Sequence, residues 1–260
     1  MKAGEKLAHS FGATEVSMEE RRRLIRRTFR QVAPRYDLMN DLMSMGVHRF
    51  WKSALVTLAA ARPGEVAVDL AGGTGDIALA LAGAGARVLV VDPSADMMRV
   101  GQARAGASRA GWIAAEAEQL PFADASIDLL TISFGIRNVT NVERALAEIA
   151  RVLKPGGRFY CLEFSTPRAW LRPFYALWSR TAIPVLGAVI SGRRDAYRYL
   201  VESIRRFPDQ AEFAAMIAAS GLVDVKWRDR SFGIAAIHSA RKPAAASVTA
   251  PQSREAGGGA

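Results

Sequence analysis

The residues best suited by type and spacing to do chemistry are two carboxylates and a cluster of glycines. Asp69 follows the apolar run Val66, Ala67 and Val68. Gly72, Gly73 and Gly75 come next, with Thr74 among them, and Ile77 to Ala82 then reads as a helix. A buried strand, a glycine turn and a helix N-terminus let a ligand approach the backbone, because glycine has no side chain in the way. Asp92 closes a second apolar run, RVLVVD, seventeen positions past Gly75. A carboxylate at that interval can accept hydrogen bonds from both hydroxyls of a ribose. Gly73, Gly75 and Ala78 also satisfy the dinucleotide pattern G-x-G-x-x-G/A, so the glycines alone do not choose a cofactor. A tight turn needed only for packing is the competing reading.

The chain has 260 residues, enough for one doubly wound domain with appendages. Hydrophobic residues make up 50% and charged residues 23%, as in an ordinary globular protein. The lone cysteine, Cys161, lies in the apolar run FYCLEF, can form no internal disulfide and is expected to be buried filler in a reducing compartment. No apolar stretch at the N-terminus suits a secretory signal, and none elsewhere suits a membrane span. The expected location is cytoplasmic. The net charge of +10 is open to three explanations: nucleic acid, an anionic membrane surface, or solubility alone.

These residues need a scaffold, and the pattern supplies one. Residues 1–17 lack periodicity and are expected to be a loose arm. Ser17 and Glu20 form a capping-box pattern for a helix through MEERRRLIRRTFRQVA. Leu24, Ile25, Thr28, Phe29 and Val32 are its apolar stripe, and arginines cover the rest. Tyr36 to Leu55, rich in methionine and aromatics, precedes the first strand and suits a cap over a cleft; the helical cap is placed at 18–60. Further strands are expected at Arg87 to Asp92, within 111–122, within Ala125 to Ile136 and at Arg158 to Phe164, alternating with helices. Lys154-Pro155-Gly156-Gly157 is a helix stop. Ala169 to Gly192 breaks the alternation as an apolar insert, with a helical segment over 169–205. LVDVKWRDR and SFGIAAIHSARK close the domain near 241 as a hairpin, and 242–260 is expected to be disordered. The fold class is α/β and Rossmann-like, a mostly parallel seven-stranded sheet with a terminal antiparallel hairpin. That plan lacks the second nucleotide half of a dehydrogenase and suits a class I methyltransferase using S-adenosylmethionine.

Four segments carry a sharper resemblance: VAPRYDLMNDLMSMGVHRFWK, DLAGGTGDIALAL, LPFADASIDLLTISFGIRNVTNVERALAEIARVLKPGGRFYCLEFSTP and AYRYLVESIRRFPDQ. In order, from about Phe29 to Lys242, the chain resembles the ubiquinone/menaquinone biosynthesis C-methyltransferase family. TISFGIRNVT and RYDLMNDLMSMGVHRFWK are its more specific parts. The resemblance implies S-adenosylmethionine contacts at Thr74, Asp92, Glu116, Ala117 and Ser133. Glu116 stands where the family usually has Asp or Asn. Asp69 and Gly73 follow by analogy with the whole class.

The reaction implied is methyl transfer to a ring carbon of a polyprenyl benzoquinol or a demethylmenaquinol. Positioning can lower such a barrier by ~7–11 kcal/mol. Making the ring carbon nucleophilic calls for a phenolate, which a nearby cation favours. Arg137 is the candidate cation, Asn138 the group that orients the oxygen, and Tyr36 a third polar group. A salt bridge tying cap to sheet competes for Arg137, and plain packing competes for Tyr36. His48 reads as structural, and no Cys/His cluster suggests a metal. The insert, with Trp170, Phe174 and Trp178, suits a lipid tail or a membrane surface, with a helix pair that closes the cleft as the competing reading; a lipid quinol, and a bilayer or quinone-biosynthesis complex, are the expected partners, with no nucleic acid. A methyltransferase acting on RNA or another small molecule, a non-catalytic quinol-binding subunit and a dehydrogenase stay open on the residues alone.

Overall fold

The computed structural model describes residues 9–11, 14–33, 41, 44, 46–174 and 194–244, with 31–32 and 194–198 as backbone only. Strands β3 (Val66–Leu70), β4 (Arg87–Val91), β5 (Ala110–Ile113), β6 (Ile127–Ser133), β7 (Leu153–Phe164), β8 (Val223–Arg230) and β9 (Ala235–Arg241) form one sheet. Its order is β5-β4-β3-β6-β7-β9-β8. The pairs from β5 through β7 are parallel, and β9 runs antiparallel to both β7 and β8. This is the expected α/β plan. The central strands VAVDL, RVLVV and IDLLTIS are apolar because helices cover both their faces.

Alternation along each strand feeds two cores. On one face Val68, Leu70, Leu130 and Ile132 meet Leu146 and Ile149 of α5 (Val142–Val152) and Phe213 and Ile217 of α7 (Gln210–Ala219). On the other, Ala67, Val88 and Leu129 meet Trp51 and Leu55 of α2 (Val47–Ala59) and Ile77 and Leu81 of α3 (Asp76–Gly83). The chain leaves β3 toward β4 and β5, then returns to build β6 and β7 on the other side. The crevice between the ends of β3 and β6 is therefore the topological switch point, where open α/β sheets hold ligands.

α1 (Met18–Val32) is capped by Ser17, whose Oγ accepts from the Glu20 amide at 3.2 Å. Ahead of it, β1 (Ser10–Phe11) pairs with β2 (Thr14–Glu15), so the stretch expected to be a loose arm carries a small ladder at 10–15. Arg21 departs from the expected solvated arginine face. It is 2% exposed. Its guanidinium donates to the carbonyls of Ser10 at 2.8 Å, Val139 at 2.6 Å and Arg137 at 2.9 Å. Three carbonyls satisfy its fork, which is why a cation sits inside.

The helix stop also differs in detail. α5 ends at Val152, and Leu153 already pairs with Ile127. Pairing resumes at Leu129 with Arg158, so Lys154-Pro155-Gly156-Gly157 bulges from β7. Pro155 pushes the residue before it out of the helical region. The rest of the insert, 175–193, and the tail beyond 244 lie outside the described residues.

Candidate functional site

The pocket opens at the switch point and runs along the ends of β6, β3, β4 and β5. It is lined by Ser133, Phe134, Asp69, Gly72, Gly73, Thr74, Asp92, Glu116 and Ala117, with Ile25, Arg26 and Phe29 of α1 across from them. The expected cofactor residues are thus brought together.

The glycine turn is held by its neighbours. Gly73 takes φ 55° and Gly75 φ 81°, where a side chain is strained. A Cβ on Gly72 would lie 2.7 Å from the Asp69 carboxylate and 3.0 Å from its carbonyl. Asp69 is fully buried; it accepts from Thr131 Oγ1 at 3.0 Å and the Ala78 amide at 3.2 Å. Burial pushes its pKa up to about 7. Ala71 and Phe134, just past the ends of β3 and β6, both have positive φ, 50° and 56°. Each such residue costs about 1–3 kcal/mol, strain that gathers at ligand sites.

Asp92 ties the turn to the next loop. Its Oδ2 accepts from the Gly73 amide at 2.9 Å and its Oδ1 from the Ser94 amide at 2.7 Å. Burial raises its pKa to about 6 against these two bonds. A carboxylate has about four acceptor positions, so two serve the loops and two can face a diol. Ser133 Oγ is sealed from solvent, lines the pocket and has no hydrogen-bond partner among the described residues. Such an orphan hydroxyl at a ligand cleft fits a missing ligand atom.

The opposite wall is ionic. Arg26 pairs with Glu116, Arg22 lies 3.9 Å from Glu116, and Arg30 lies 3.7 Å from Asp96 of α4 (Ala95–Gln102). Arg23 meets Glu20 at 3.5 Å. Part of the basic run thus meets carboxylates within the chain.

Two of the three expected catalytic residues can be placed. Tyr36 lies outside the described residues. Asn138 lines the pocket, but its Oδ1 accepts from Tyr199 Oη at 2.9 Å. Tyr199 belongs to α6 (Arg194–Arg206) and stacks on Phe11 at 4.3 Å. Arg137 is 4% exposed and does not line the pocket. It donates to Glu163 Oε1 at 2.6 Å and the Phe134 carbonyl at 2.8 Å, and stands 5.4 Å over the Phe164 ring. Burial raises the Glu163 pKa, with Arg137 pulling the other way. The Arg137 charge is therefore matched by a buried carboxylate of β7, an ion pair at the sheet's own end and not one that ties cap to sheet. His48, as expected for a structural residue, is buried and bonds Asp41 at 2.9 Å. Lys52 and Asp76 also line the pocket, though nothing in their local sequence marks them.

The model of the ubiE/COQ5 methyltransferase family matches residues 15–242. The chain belongs to that family. The ubiquinone/menaquinone biosynthesis C-methyltransferase of Rubrivivax gelatinosus is 62% identical over 240 residues, covering 92% of this chain and 95% of that one. Its counterpart in Paracoccus denitrificans is 50% identical over 239 residues, covering 89% and 96%. Among solved structures, an S-adenosylmethionine-dependent methyltransferase from Thermotoga maritima superposes with a TM-score of 0.59 at 18% identity, covering 84% of this chain and 99% of that one. One from Aquifex aeolicus gives 0.53 at 14% identity, covering 73% and 88%. These structural likenesses carry the fold. S-adenosylmethionine is the co-substrate of the ubiE/COQ5 methyltransferases, and the Asp92 acceptors and orphan Ser133 hydroxyl fit it.

Proposed function

We propose that this protein transfers a methyl group from S-adenosylmethionine to a ring carbon of a polyprenyl benzoquinol, a demethylmenaquinol or both. What supports this most is a ubiE/COQ5 family chain whose glycine turn, Asp92, Glu116–Ala117 and Ser133 line one pocket. When bound, the co-substrate supplies a methyl already activated on a sulfonium. The chain's part is then to hold and orient. Asp92 would accept from the ribose hydroxyls and Gly72 to Gly75 would receive the amino acid end. Glu116 would share its carboxylate between Arg26 and the adenine amino group. α1 would close over the cofactor with Ile25 and Phe29 and exclude water, which strengthens every polar contact inside. Asn138 would meet the acceptor ring, with Tyr199 fixing its orientation and Arg137–Glu163 bracing the loop beneath it.

No helix among the described residues is long and apolar enough to cross a membrane. Trp170 and Phe232 are 57% exposed, Phe174 is 68% exposed, and Trp170 packs edge-on to Phe232 at 5.3 Å. With Arg168 and Arg172 nearby in the chain, this is the surface we assign to the bilayer that carries the polyprenyl tail. Incubation with methyl-labelled co-substrate and reduced demethylbenzoquinone, demethylmenaquinone or RNA tests the proposal by product mass. One added methyl on either quinol is expected. Methyl on RNA alone, or on none of the three, would overturn it.

A further inference from the structure

Lys52 has no part in the roles above. It lies on α2 one turn beyond buried His48, at the margin of the face made by Trp51, Leu55 and Ala59. That register carries it to the start of α3. Its Nζ donates to Asp76 Oδ2 at 2.7 Å, and its side chain is only 14% exposed. Asp76 Oδ1 meets Arg104 at 2.5 Å. Burial pushes the Asp76 pKa up, yet the flanking Lys52 and Arg104 hold it below the ordinary carboxylate value overall. Arg104 is directed elsewhere: it also bonds the Thr74 carbonyl at 3.2 Å and Thr74 Oγ1 at 3.3 Å, and it does not line the pocket.

The pocket lining is strongly acidic, with Asp69, Asp76, Asp92, Glu116 and Glu118. Its cations among the described residues are Arg26 and Lys52. Arg26 is bound to Glu116, past the end of β5, whereas Lys52 stands at the glycine turn past the end of β3. A ligand carboxylate entering that acidic lining would be repelled unless a cation met it there. An ammonium has three donors, and Asp76 accounts for one.

We infer that Lys52 recognises the carboxylate of the amino acid end of S-adenosylmethionine, with Asp76 aiming its ammonium. The inference rests on the proposal that this pocket takes that co-substrate. It makes Lys52 a specificity residue: a nucleoside sulfonium or thioether without the carboxylate gains nothing from it. The companion ammonium of the ligand has Asp69 and the turn carbonyls at the same end.

Titration calorimetry with S-adenosylhomocysteine and its decarboxylated counterpart tests this. A charged hydrogen bond at a screened site corresponds to a preference of about tenfold to a hundredfold, so the native protein is expected to favour the carboxylated ligand by that factor. In Lys52→Met the preference falls to within about twofold, while affinity for the decarboxylated ligand is unchanged. A native protein without the preference overturns the inference. So does a Lys52→Met protein that weakens both ligands equally, the mark of a structural pair. Should Lys52→Met lose its cooperative melt, Lys52→Gln, which keeps a donor toward Asp76, must show the same collapse. Absence of any S-adenosylhomocysteine binding by the native protein would overturn the cofactor proposal itself; binding with the preference intact in the neutral variants would overturn Lys52 alone.

Discussion

Asp92→Asn separates binding from stability. The carboxylate receives the Gly73 and Ser94 amides on different oxygens. An asparagine has one acceptor oxygen, so its NH2 faces one of those amides and one of the diol hydroxyls loses its acceptor. The lost charged bond corresponds to about 1.5–3 kcal/mol, roughly tenfold to a hundredfold in Kd for S-adenosylhomocysteine. Stability moves far less. Burial raises the Asp92 pKa from 3.8 to about 6. At neutral pH that ionised group costs about 3 kcal/mol relative to its unfolded state, and the neutral amide is spared this. The orphaned amide costs about 1–3 kcal/mol in return, so the two changes largely offset. The pH trend follows in sign. Because the native group holds its proton between about pH 4 and 6 while the unfolded group does not, the Asp92 contribution to stability grows as pH falls through that window. Ligand affinity moves oppositely, because the diol needs the ionised acceptor: Kd is expected to rise as pH drops below about 6. Calorimetry and thermal melts from pH 5 to 8 read both. A variant that binds within twofold of the native protein, or that loses its melt while binding normally, would show that Asp92 does not hold the diol.

Three other perturbations follow from the geometry. Arg137→Met strands the Glu163 carboxylate, 1% exposed, and is expected to lower stability by about 3–5 kcal/mol in urea titration, most of it restored by adding Glu163→Gln; a phenolate-facing cation would instead cost turnover with stability intact. Arg21→Met leaves the carbonyls of Ser10, Val139 and Arg137 without their donor, for a loss of about 3 kcal/mol or more, detectable as a large drop in melting temperature. Gly101→Ala places a Cβ 2.4 Å from the Trp112 ring and 2.9 Å from the Thr74 carbonyl, so a loss of about 1–3 kcal/mol with weakened cofactor affinity is expected; unchanged melting and binding would show that Trp112 yields freely.

The sheet was legible because parallel strands covered on both faces read as apolar runs, and Gly72 to Gly75 and Asp92 carry their spacing in the chain. Ser17 announced its helix by a local pattern. What stayed hidden depends on partners far along the chain. Arg21 looks like its arginine neighbours, and only the carbonyls of Arg137 and Val139, more than a hundred residues away, take it inside. Arg137 looked like a cation aimed at substrate because nothing local shows that Glu163, in FYCLEF, is its buried partner. Lys52 and Asp76 lie on separate helices and meet only when α2 packs against α3. The small β1–β2 ladder is two residues per strand, too short for any period to show.

We assign the switch-point pocket as the cofactor site of this ubiE/COQ5 methyltransferase. A crystal structure with S-adenosylhomocysteine tests it most directly. Both ribose hydroxyls are expected within hydrogen-bond distance of Asp92, the amino acid end over Gly72 to Gly75, and a ligand atom or ordered water on Ser133 Oγ. A nucleoside bound elsewhere, or one whose ribose bypasses Asp92, would contradict it.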